Sequence, residues 1–238
     1  MNTNEIQYYQ VDTFTTELFK GNPAGVCPLE EWLNENQMQA IAMENNLSET
    51  AFYVKRDNYY EIRWFSPTCE VDLCGHATLA CAYIEFIIKK TGESKIVFKT
   101  KKSGDLIVTH RQENICLNFP TDDIKELELT DDLIIPFEEK VIKATKGKTD
   151  IILEFETEEK IMQMTPNLEH IANLDCRGVI VTAKGKDVDF VSRFFGPQSG
   201  IDEDPVTGSA HTTLIPYWAD RLKKSSLSAR QLSPRRGD

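Results

Sequence analysis

Arg193-Phe194-Phe195-Gly196-Pro197 repeats, 130 positions later, the order of Arg63-Trp64-Phe65-Ser66-Pro67. Each stretch reads Arg-aromatic-Phe-small-Pro, a strand stopped by proline. Each is followed by a short acidic segment: Thr68-Cys69-Glu70-Val71-Asp72 in the first, Ile201-Asp202-Glu203-Asp204 in the second. Each segment then leads to a glycine, Gly75 before His76 and Gly208 before Ser209, and these stand 133 positions apart. A long apolar run follows both. Residue type, element order and spacing agree together, which implies an internal duplication. The expected fold is α+β, with two similar halves, each a curved sheet around one central helix that lacks a wide polar face. A charge-rich connector over residues 121–139 marks the boundary, giving halves at 1–119 and 120–238.

Working outward, alternation predicts strands over residues 6–14, 50–54, 59–65, 95–100, 105–110 and 114–119 in the first half. The second half reads as strands over 140–144, 150–155, 178–183 and 188–195. Helical spacing predicts helices over 32–44, 75–90, 165–173 and 208–222, the third capped by Thr165 with Pro166 at its first position. Gly21-Asn22-Pro23-Ala24-Gly25 reads as a turn or loop with unusual backbone needs. The tail from 223 onward is polar and basic.

The 238 residues carry a net charge of -11, which disfavours a general nucleic-acid binder. The six cysteines form no CxxC pair and read as free thiols in a reducing compartment. No signal peptide is visible, and the run around 77–88 is too short and polar to span a bilayer. The expectation is a cytoplasmic protein without membrane partners.

The chemistry gathers at three places. Glu49, in Asn46-Leu47-Ser48-Glu49-Thr50, borders an apolar strand, and a half-buried carboxyl there would have its pKa raised toward neutrality, as an acid/base requires. The alternative is a surface Glu in a turn. Cys74-Gly75-His76 opens one apolar helix, and His76 reads either as a capping residue or as a hydrogen-bond donor to substrate. Asp202-Glu203-Asp204-Pro205-Val206-Thr207-Gly208-Ser209 opens the other, with Asp204 as acid/base or as a helix-start carboxylate. Helix N-termini carry free amides and partial positive charge, so Gly75 and Gly208 are candidate binders of an anionic group. A two-thiol racemase mechanism fails by symmetry, because the stretch matching Cys74 contains no cysteine. Cys69, Cys74 and His76 lack a recognisable metal-ligand spacing. No phosphate loop or dinucleotide fingerprint is present, so no metal or cofactor is expected.

Taken together, Gly21-Asn22-Pro23-Ala24-Gly25-Val26, Asn46-Leu47-Ser48-Glu49-Thr50-Ala51-Phe52, Arg63-Trp64-Phe65-Ser66-Pro67, Glu70-Val71-Asp72-Leu73-Cys74-Gly75-His76-Ala77-Thr78 and Glu203-Asp204-Pro205-Val206-Thr207-Gly208-Ser209-Ala210 resemble the PhzF (phenazine biosynthesis-like) family. The resemblance implies a diaminopimelate epimerase-like fold, with two barrel-like halves each around a central helix and the active site between them. It implies a cofactor-free isomerase that moves a proton, with Glu49 as acid/base. Gly75, His76, Asp204, Gly208 and Ser209 are the other implied site residues, and a homodimer is the implied assembly. Family members usually continue past Ala229-Arg230-Gln231-Leu232-Ser233 with a further pair of strands. This chain reads Pro234-Arg235-Arg236-Gly237-Asp238 there, so the second half is expected to lack its closing strands.

Three functions remain open on these residues. The first is an isomerase acting on a small carboxylate-bearing substrate, with Gly75 and Gly208 holding the carboxylate and His76, Asp204 and Ser209 orienting it. The second is an amino-acid epimerase or racemase using Glu49 and Asp204. The third is a protein that binds an acidic metabolite without turnover.

Overall fold

Period-two alternation places the apolar residues of each sheet on two faces, and a different helix covers each face. The computed structural model describes residues 5–238. The chain divides into two compact units: the N-terminal residues to Thr13 with Pro23–Phe119, and Phe14–Asn22 with Pro120–Asp238. A single division at 119/120 therefore misplaces Phe14–Asn22. That segment is tied to the C-terminal residues: Gly21 N–H donates to Arg236 O at 2.7 Å, Asp238 N–H to Phe14 O at 3.0 Å, and Arg235 to the carbonyls of Lys20 and Gly21.

The first unit runs β1 (Tyr9–Thr13), β2 (Asn22–Leu29), α1 (Glu35–Asn45), β3 (Glu49–Lys55), β4 (Tyr60–Phe65), β5 (Glu70–Val71), α2 (Gly75–Tyr83), β6 (Lys95–Lys99), β7 (Asp105–Arg111) and β8 (Asn114–Asn118). Its eight-stranded sheet has the order β1-β2-β3-β4-β6-β7-β8, with β5 on β4. Val26, Ala51, Tyr53, Ile62 and Trp64 face α2, together with Ile96, Phe98 and Val108. Their neighbours Cys27, Phe52 and Phe65 face the other way, against Met38 and Ala42 of α1. Helix α2 buries His76, Ala77, Thr78, Ala80, Cys81 and Ala82, which cover most of its circumference and leave only the sector of Leu79 and Tyr83 toward the outside, as expected for a helix inside a curled sheet. A π-helical turn, Ile84–Ile88, extends it. There the buried Glu85 accepts from Tyr53, from Tyr60 at 2.9 Å and from Lys89 at 2.7 Å, so its charge is paired and hydrogen-bonded.

The stretch read as a loop at 21–25 is instead the start of β2. Its parallel ladder with β3 begins at Ala24↔Glu49, so Pro23, which has no N–H to give, sits just ahead of the pairing. A Cβ on Gly25 would meet Thr50 Oγ1 at 2.8 Å and the Tyr8 ring at 3.1 Å, so the glycine serves close packing.

The second unit contains β9 (Lys125–Leu127), α3 (Asp131–Ile134), β10 (Lys143–Lys146), β11 (Asp150–Glu154), α4 (Glu158–Gln163), α5 (Leu168–Ala172), β12 (Gly178–Lys184), β13 (Phe190–Gly196), β14 (Ile201–Asp204), α6 (Ala210–Leu222) and β15 (Ala229–Gln231). The order is β14-β13-β12-β11-β10-β9, with β15 on β13. The duplication is visible strand by strand. β2–β3 is parallel and β3–β4 and β4–β5 antiparallel; β11–β12 is parallel and β12–β13 and β13–β14 antiparallel. The third partner is parallel in both, β6 on β4 and β15 on β13. Faces correspond too: Ile152, Ile180, Phe190 and Phe194 pack on α6, while Ile151, Val179, Val181 and Phe195 pack with Ile161 and Ile171 of α4 and α5.

Helix α6 departs from the expectation of two helices without a polar face. It buries Ala210, Thr213, Leu214, Tyr217 and Trp218, but Ile215, Asp220 and Arg221 are exposed. In the first unit β7 and β8 follow β6, and Leu117 and Phe119 complete the shell around α2. Among the described residues no strand takes that place beyond β15, so α6 keeps an open face. Pro216 inside α6 cannot donate to Thr212 O, and Asp122 N–H takes that carbonyl at 3.0 Å. Several elements fall where the sequence reading had none: the short strands β5, β14 and β15, β9 and α3 inside the acidic connector, and α4, capped by Thr157 accepting from Lys160 N. The 165–173 helix starts later than predicted, with Asn167 as its cap accepting from His170 N. Among the described residues no helix is long and apolar enough to cross a membrane.

Candidate active site

In the first unit, the turn between α1 and β3 delivers Glu49. Asn46 ends α1 in the left-handed region at φ 50°, a conformation asparagine tolerates, and its N–H returns to Ala42 O. The chain then reverses, and Glu49 becomes the first residue of β3, its side chain 17% exposed. At the head of α2, His76 Nε2 lies 3.5 Å from Glu49 Oε2, and His76 Nδ1 lies 3.5 Å from Cys74 Sγ. The sequence singled out Glu49, Gly75 and His76, and this unit brings them together.

Burial pushes the His76 pKa down to about 4, so the imidazole stays neutral at neutral pH. A neutral ring at this distance can turn an N–H dipole toward a carboxylate without becoming its acid, although no hydrogen bond joins the two here. Glu49, Cys74 and His76 place donor atoms within 4.8 Å of one another, a set that could in principle ligate a metal. The two short contacts, however, run through opposite ring nitrogens, whereas a metal takes one nitrogen. The ring thus lies between a thiol hydrogen-bonded at Nδ1 and a carboxylate facing Nε2. Gly75 has a structural reason: a Cβ there would meet the Phe119 ring at 3.1 Å.

In the second unit the three acids of Asp202-Glu203-Asp204 separate into three roles. Asp202 is exposed. Glu203 takes a bidentate pair from Arg193, at 2.7 and 2.8 Å. This mirrors Arg63 on Glu70, at 2.6 Å on both oxygens. The Arg193 guanidinium also lies over the Phe195 ring, as that of Arg63 lies over Phe65, so the repeated Arg-aromatic-Phe motif is a structural clamp.

Asp204 is the carboxyl held inside. Asn22 Nδ2 donates to Oδ1 at 2.9 Å and Thr207 Oγ1 donates to Oδ2. Gln231 fastens the same loop, accepting from Thr207 N–H at 2.8 Å and donating to Asp204 O at 2.8 Å, while Ser233 Oγ donates to Pro205 O. Burial, against the pull of these hydrogen bonds and of Arg177, raises the Asp204 pKa to about 6. Ser209 Oγ accepts from Arg177 Nη1 at 3.0 Å, and the buried Asp150 orients that guanidinium through two further hydrogen bonds. At Gly208 a Cβ would meet nothing closer than Phe14 Cζ at 3.4 Å, so crowding does not account for the glycine. Asn22, Asp150, Arg177, Thr207 and Gln231, which complete this arrangement, were not singled out from the sequence. Asn22 and Thr207 lay inside the motifs quoted for the resemblance, and Gln231 inside the quoted segment at 229–233.

Comparison with known proteins decides which family carries these features. A family model described as phenazine biosynthesis-like protein matches residues 11–237. The chain belongs to the PhzF family. An uncharacterized isomerase of Pseudomonas aeruginosa is 47% identical over 234 residues, covering 98% of this chain and 89% of that protein. The crystal structure of a PhzF-family protein from Enterococcus faecalis superposes with a TM-score of 0.94 at 47% identity, covering 98% and 89% of the two chains. The structure of a predicted epimerase from P. aeruginosa, with a TM-score of 0.66 at 17% identity and coverage of 93% and 84%, shows the same fold. The PhzF relatives make this chain an enzyme of isomerase type with the two-half α+β architecture that the duplication predicts.

Asp204 and His76 give opposite pH dependences. Asp204 binds its proton more tightly folded than unfolded, so its unfavourable contribution is full above about pH 6 and fades as pH falls toward 3.8. For His76 the pKa falls from 6.5 to about 4, so its contribution is full above pH 6.5 and is lost as pH falls through about 4. The two offset one another in the wild type. Asp204→Asn removes one arm. Between pH 7.5 and 5 the variant is expected to lose about 1 kcal/mol more stability than the wild type. Denaturant midpoints at the two pH values measure this. The slope is diagnostic rather than the absolute stability, because an Asn amide would face two donors. Parallel slopes would contradict the raised pKa of Asp204.

Proposed function

We propose that this PhzF-family enzyme is a cofactor-independent isomerase that shuttles a proton between carbons of a small carboxylate-bearing substrate, with Glu49 taking the proton and returning it. The observation that carries this reading is the Glu49–His76 contact at 3.5 Å, between a half-buried carboxylate at a strand start and a neutral imidazole at a helix start. A base that both accepts and returns a proton needs a partner that stabilises its charge without competing for the proton, and neutral His76 provides that. The amides heading α2 attract an anionic group. Gly208, Ser209 and Arg177 offer a similar polarity in the second unit, with Asp204 as a second acid/base group. The isomerase names of the curated relatives support the reaction class.

One observation favours a second reading. Asp204, with a pKa of about 6, suits a second base, as an epimerase requires. The product separates the two. The protein is incubated with a panel of small unsaturated and amino-substituted carboxylic acids, and products are read by proton NMR and chiral chromatography. A positional isomer is expected. A stereoisomer would establish the epimerase. Saturable thermal stabilisation without any product would point to a binding protein.

A further inference from the structure

His76 carries two constraints that Cys74 resolves. A neutral imidazole has one N–H, so one ring nitrogen donates and the other accepts. Nε2 makes no hydrogen bond among the described residues, but it faces Glu49 Oε2 at 3.5 Å, and a ring lone pair there would meet the carboxylate's charge, so the hydrogen is favoured on Nε2. Nδ1 must then accept, and the group beside it is the Cys74 thiol, also at 3.5 Å. The thiol is a weak donor, but it is buried with the ring and needs only to favour one of two tautomers.

The duplication supplies an independent argument. Cys74 precedes Gly75 as Thr207 precedes Gly208, 133 positions on. Thr207 uses its side-chain hydrogen in the way inferred for Cys74, donating to the buried titratable group of its own unit, Asp204. Each unit thus places a small donor ahead of its glycine and aims it at the group whose protonation matters.

We propose that Cys74 is a positioning residue that holds His76 as the Nε2–H tautomer, so that a fixed hydrogen points at Glu49. The proposal rests on the reading of Glu49 as the proton carrier, but its test needs no substrate. In uniformly 15N-labelled protein, long-range correlation of the ring C–H protons with the two ring nitrogens reports the tautomer of His76, assigned by its absence in His76→Asn. The wild type is expected to show a single Nε2–H species. Cys74→Ala is expected to lose that single species, and Cys74→Ser, which keeps a donor, to restore it. A wild-type ring protonated at Nδ1 would overturn the proposal, and so would a Cys74→Ala spectrum identical to the wild type. If Cys74→Ala does not fold, the wild-type spectrum and the serine variant still decide. Loss of proton exchange in Glu49→Gln tests the other reading, so the two can fail separately.

Discussion

Glu49→Gln is expected to lose proton exchange by about 10²–10⁴-fold while its melting temperature stays close to that of the wild type. The amide is isosteric, but it cannot take a proton at neutral pH. Glu49 sits at the end of β3, its side chain 17% exposed, and the β3 ladder does not depend on its charge. The variant therefore separates chemistry from fold. Glu49→Asp retracts the carboxylate by one methylene from His76 and is expected to keep a small residual rate. Steady-state rates and a calorimetric scan on the three proteins are the measurement. A large fall in melting temperature for Glu49→Gln would show that the carboxylate is structural, like Glu85.

Arg193→Ala is expected to destabilise the second unit by about 3–5 kcal/mol. Arg193 is only 10% exposed and carries more than its ion pair. Its Nη1 donates to Ile161 O at 3.1 Å and Met164 O at 2.7 Å, fastening the end of α4 to β13. Removal strands the Glu203 carboxylate and two main-chain carbonyls together. The repeat provides the control. Arg63 makes the matching pair with Glu70, but its further partner, Glu35, is 65% exposed. Arg63→Ala is therefore expected to cost less, about 1–2 kcal/mol. Thermal unfolding followed by circular dichroism should show a drop on the order of 10 °C for Arg193→Ala and clearly less for Arg63→Ala. Equal drops would mean that the two carbonyl contacts contribute nothing.

The duplication was legible because it is written in short, local patterns: an arginine in a strand, a proline that ends it, a glutamate on the returning strand. Those patterns became the Arg63–Glu70 and Arg193–Glu203 clamps and the paired strand order. Glu49 and His76 were legible for the same reason, each at the start of an element whose apolar pattern is strong. What stayed hidden depends on distance along the chain. Asn22 holds Asp204 across 182 positions, and Gln231 sits in a tail that reads as merely polar yet is buried. No local pattern announces such contacts. The amphipathic character of α6 was missed because Leu214, Ile215, Tyr217 and Trp218 look uniformly apolar, and only the sheet topology shows which of them is left uncovered. The role assigned to Gly75, close approach by a ligand, meets a simpler cause in the Phe119 ring, which lies 44 positions away in sequence.

The central claim is that Glu49 carries the proton. Solvent deuterium incorporation tests it most directly. Wild type and Glu49→Gln are incubated in D2O with the panel of unsaturated and amino-substituted carboxylic acids, and carbon-bound exchange is followed by proton NMR. The account predicts exchange at carbon in the wild type and none above background in Glu49→Gln. Exchange that survives the substitution would contradict it and would move the proton chemistry to Asp204.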